Sequence, residues 1–204
     1  MKFEDTRLPK HPTIEKAFAE LTRLDEADKF TSRGIKIASI IASDSAAKDP
    51  DAIAAGLLVP LASDTGGVLL GQADVPGRVS DVIHAVFELG NLVMRGEPIE
   101  DYYKKQDAGA RSVILASSTR MFEVMKDEME ASLQASREAG AEADAAYLQE
   151  TLTPLKQFSH MICSNETEET ALAKKCENAV LEIERLISGP GHPRPGEQGK
   201  CPRP

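Results

Sequence analysis

Ala54-Ala55-Gly56-Leu57-Leu58-Val59-Pro60-Leu61-Ala62-Ser63-Asp64-Thr65 is a nearly charge-free run that ends on a single acid. Upstream, Lys48-Asp49-Pro50-Asp51 supplies a helix start. Asp49 serves as N-cap, and Pro50 takes the first helical position, where its missing N–H has no intrahelical partner to lose. Downstream, Gly66-Gly67 supplies the stop. The segment reads as one buried helix. A second apolar stretch, Val113-Ile114-Leu115-Ala116-Ser117-Ser118-Thr119-Arg120-Met121-Phe122, has about the right length to lie against it. Together they predict an all-α fold.

Composition agrees. Apolar residues make up 41% of the 204 and charged residues 28%, which suits one globular domain able to bury a core without staples. Aromatics are only 4% and Trp is absent, so Ala, Leu, Ile, Val and Met must build that core, which favours helices over a sandwich. A net charge of −9 argues against a nucleic-acid partner, because nothing here would collect phosphates along a backbone. No apolar run reaches the roughly 18 residues of a membrane span, so no membrane role is expected. Met1-Lys2-Phe3-Glu4-Asp5 lacks the apolar stretch of a secretory signal. Cys163, Cys176 and Cys201 show no CxxC spacing, and their odd number reads as reduced thiols in a cytoplasmic protein. Asn165-Glu166-Thr167 then reads as a helix cap rather than a glycosylation acceptor.

Along the chain, residues 1–11 read as a loose lead-in. Pro12 opens a helix with Ile14, Ala17, Phe18, Leu21 and Leu24 on one face. The run Ile35, Ile37, Ala38, Ile40, Ile41 is apolar nearly all round and predicts a central helix, with a strand as the alternative. Gly66 to Gly77 is loop chemistry. A helical period returns with Val79, Val82, Ile83, Val86, Phe87 and Val93. A short turn of helix from Ile99 to Gln106 precedes the longest helix, about 108–139, with Ile114, Met121, Met125, Met129 and Leu133 on one stripe. Another helical region, about 141–163, is kinked or divided by Pro154. The last helix, about 168–188, has Leu172, Cys176, Ala179, Ile183 and Leu186 in register. Five prolines and four glycines among residues 189–204 predict a disordered tail. The expected organisation is one helical domain over 1–188 followed by that tail.

The two opening stretches resemble HD-domain phosphohydrolases, within them the branch that hydrolyses the alarmone (p)ppGpp. That branch carries one helix ending in a pattern like AALLHD-x-x-ED-T and a later one like LADRLHN. Here the first stands as Ala55 to Thr65 and the second as Ser117-Ser118-Thr119-Arg120-Met121-Phe122-Glu123. The 59 residues from Pro60 to Thr119 match the family spacing, as do the 25 from Gly34 to Val59, and the likeness covers about residues 12–125. The resemblance implies an HD-like helical bundle in which a Mn²⁺-like ion, held by histidines and aspartates, would activate a water and polarise a phosphate. The positions that would carry those ligands are Gly34, Val59, Pro60 and Thr119. None of the first three can ligate through a side chain, and a threonine hydroxyl is a poor fourth. Of the acidic pair, one is Ser63 and Asp64 remains; the family's lysine and asparagine stand as Ala116 and Glu123, and Arg120 survives.

The resemblance therefore implies a scaffold without its hydrolase, needing no metal. Asp64 is either a retained catalytic acid or the end of a buried helix beside Gly66. Arg120 and Arg111, with Lys104 and Lys105, are candidates to contact a nucleotide phosphate, or are ordinary solvated charge. His84 and His160 read as surface or boundary residues, and His11 and His192 sit in Pro-flanked ends. Three functions stay open. The leading one is a non-catalytic regulatory module binding a guanine nucleotide, or a protein partner on the 108–139 helix. The others are a Mn²⁺ phosphohydrolase rebuilt from Asp44, Asp64 and His84, and an unrelated helical interaction protein.

Overall fold

A computed structural model describes residues 2–25, 28–44, 49–138 and 171–188. Among them are seven α-helices and no strand: α1 (Pro12–Leu24), α2 (Thr31–Ala42), α3 (Pro50–Asp64), α4 (Gly77–Met94), α5 (Glu100–Lys104), α6 (Ala108–Glu138) and α7 (Ala171–Ser188). The all-α expectation holds, and the 35–41 run is helix rather than strand. The helical region expected over 141–163 and the tail over 189–204 lie outside the described residues.

Helix α3 is the axis of the bundle, packed against α1, α2, α4 and α6. Ala52, Ile53, Ala54, Ala55, Leu57, Leu58 and Leu61 are all buried, so from 52 to 62 it has no solvent face. Each large aliphatic chain removed from water contributes about 1.5–3 kcal/mol. Its ends follow local rules: the Asp49 carboxylate accepts from the Asp51 N–H at 2.9 Å, Gly66 adopts φ +58°, and the Gly67 N–H returns to the Ala62 carbonyl at 2.9 Å. Pro60 sits inside the helix and removes the hydrogen bond to the Gly56 carbonyl, yet the helix continues to Asp64.

Two glycines let α2 and α3 cross closely. A Cβ built on Gly34 would lie 2.2 Å from the Leu57 carbonyl oxygen, and one on Gly56 would lie 2.7 Å from Ile41 Cδ1. Helix α7 packs against α6. Thr119 meets Cys176 and Lys126 meets Glu182 (2.8 Å), and since both partners advance in the same direction the two helices run parallel.

Three expectations need correction. The lead-in is docked: Phe3–Thr6 form a 3₁₀ turn, Thr6 and Leu8 are buried, and the Phe3 ring meets Phe18 edge-on at 5.6 Å. The stripe on α6 is split, with Ile114 and Met129 buried but Met121 42% exposed. On α4, Val79, Val82 and Ile83 are buried while Phe87 turns outward. In both cases the apolar arc of the helix is wider than the face its neighbours cover.

Candidate functional site

The positions that the resemblance assigns to metal ligands are all buried. Gly34 is pressed against the α3 backbone, Val59 and Pro60 lie within α3, and Thr119 donates its hydroxyl to the Leu115 carbonyl at 2.7 Å. Asp64 is the last residue of α3, and its side chain lies outside the described residues. Ser63 turns its hydroxyl back on the Val59 carbonyl at 3.1 Å.

The expected phosphate-binding cations lie on two elements. Arg120 is half-buried on α6 and pairs with Glu123 one turn on, Nη1 to Oε2 at 3.0 Å. Arg111 is half-buried near the start of the same helix. Lys105 is exposed just after α5, where Lys104 pairs with Glu100. Of the rebuilt-site residues, Asp44 is buried after α2, whereas His84 is exposed and donates Nδ1–H to the Ser80 carbonyl at 2.8 Å. Among the described residues, no three His, Cys, Asp or Glu side chains are grouped to hold a metal ion. His11 caps α1, its Nδ1 accepting from the Thr13 N–H at 3.3 Å. His160, His192, Cys163, Cys201 and Asn165 lie outside the described residues.

Two polar constructions are absent from the sequence reading. Asp25 is 4% exposed, and its carboxylate accepts from the N–H groups of Lys29, Phe30 and Thr31 at 2.6–2.8 Å and from the Thr31 hydroxyl at 2.8 Å. Burial alone would raise its pKa, but the four donors outweigh it and hold the carboxyl below its ordinary value. The acid lies five residues upstream of the N-cap position, Phe30, so cap spacing does not find it.

The second joins the starts of three helices. Arg78, at the second residue of α4, reaches Asp107 before α6 (2.7 Å) and Asp49 before α3 (4.0 Å). Asp107 in turn accepts from the Ala110 N–H at 3.0 Å. The Arg78 guanidinium, with that backbone donor, holds the Asp107 carboxyl below the usual range. Both constructions tie the bundle together.

Cys176 is fully buried between α6 and α7. Burial pushes its thiol up to about 12 against the opposing Thr119 hydrogen bond, which keeps it protonated at neutral pH. No helix among the described residues is long and apolar enough to cross a membrane. The chain matches no family model, no curated protein and no solved structure at a significant level.

Proposed function

We propose that this chain is a non-catalytic helical module of HD-domain type, related to (p)ppGpp hydrolases, that works by binding a protein partner. The observation that carries the non-catalytic part is the contact at Gly34; the kinship rests on the two sequence motifs alone. Where the family would present its first histidine, a single added carbon already falls 2.2 Å from a backbone oxygen. A side chain there, and an ion in front of it, would require α2 and α3 to separate. The second half rests on the surface. Arg120, Lys104 and Arg78 are engaged by neighbouring acids, whereas Phe87 and Met94 stand out from α4.

Metal analysis of protein expressed in manganese-supplemented medium, followed by a hydrolase assay on (p)ppGpp, tests this reading. Metal-free, inactive protein is expected. Near-stoichiometric manganese, iron or zinc together with turnover overturns it in favour of the rebuilt phosphohydrolase.

One observation favours a guanine nucleotide as the ligand instead. Among the described residues, Arg120 Nε and Ser117 Oγ, one turn apart on α6, are buried with no hydrogen-bond partner, and an anionic group admitted by an opening beside α6 would give the guanidinium one. Calorimetric titration with GDP and (p)ppGpp decides it: saturable binding abolished by Arg120→Ala supports the nucleotide, and heats indistinguishable from dilution remove it.

A further inference from the structure

We draw no further inference here: the strongest candidate, the exposed apolar edge of α4 formed by Phe87 and Met94, carries nothing because nothing among the described residues shows what covers it.

Discussion

Gly34 and Leu57 are in contact through backbone: the place a Gly34 side chain would occupy lies 2.2 Å from the Leu57 carbonyl oxygen and 3.1 Å from Leu21 Cδ2. Two opposing effects meet at this position. Alanine would favour the helical state of α2 by about 1 kcal/mol over glycine. The clash is with main chain, which cannot rotate away, and overpacking of this kind costs about 1–3 kcal/mol or more.

The clash should win. Gly34→Ala is expected to lower stability by about 2 kcal/mol net of propensity, read from urea unfolding. Gly90→Ala, with open space around it, should raise stability by up to about 1 kcal/mol. Equal effects at the two positions would refute the close crossing of α2 and α3.

Asp25 should carry a pH signature. Its carboxyl is held below the ordinary 3.8, so its stabilising contribution is complete above that value. It is lost as the pH falls through the lowered native pKa, because the unfolded chain takes up the proton first. Asp25→Ala leaves three buried or half-buried N–H groups without their acceptor and should cost about 2 kcal/mol at neutral pH. The difference between wild type and variant should shrink in acid, and a gap constant down to pH 2 would contradict the arrangement.

Cys176 should be silent in the native protein. In a Cys163→Ser, Cys201→Ser background, an aromatic disulfide reagent is expected to give no colour until denaturant is added. The raised thiol pKa also has a stability consequence. The native state keeps its proton while the unfolded thiol releases one near its ordinary 9.0, so stability falls as the pH rises from there toward 12. Rapid native labelling would show that α7 does not stay on α6.

Phe3 should matter although it precedes the first α-helix. Its edge contact with Phe18 and its packing on the core predict a loss of about 1–2 kcal/mol for Phe3→Ala, measured by thermal unfolding. A loss below about 0.3 kcal/mol would return the lead-in to the loose segment its composition implies.

What could be read in advance was what is local. The limits of α3 follow from Asp49, Pro50 and Gly66 because caps act within one turn. The burial of α3 follows from a run with no polar face. The start of α1 at Pro12 and the exposed position of His84 were legible for the same reason. Phe87 and Met121 were misplaced because helical period shows that a side chain belongs to an apolar arc, not how much of that arc a neighbour covers.

The candidate site divides the same way. That Gly34, Val59, Pro60 and Thr119 could not form a metal site was a matter of residue chemistry, readable at each position alone. That these positions are packed inside the bundle depended on the crossing of α2 and α3 and on the place of α6. The Asp25 carboxylate with its four donors and the Arg78 link from Asp107 to Asp49 were invisible for a further reason. Their partners are joined by chain reversals, and Asp49 and Asp107 stand on different helices. The sequence by itself placed the described α-helices, with a strand left open only over 35–41, and determined where the best-capped ones begin and end and that α3 is buried. Only the tertiary structure decided which apolar residues stay outside and which charges meet, because those depend on the relative placement of helices, which no local pattern encodes.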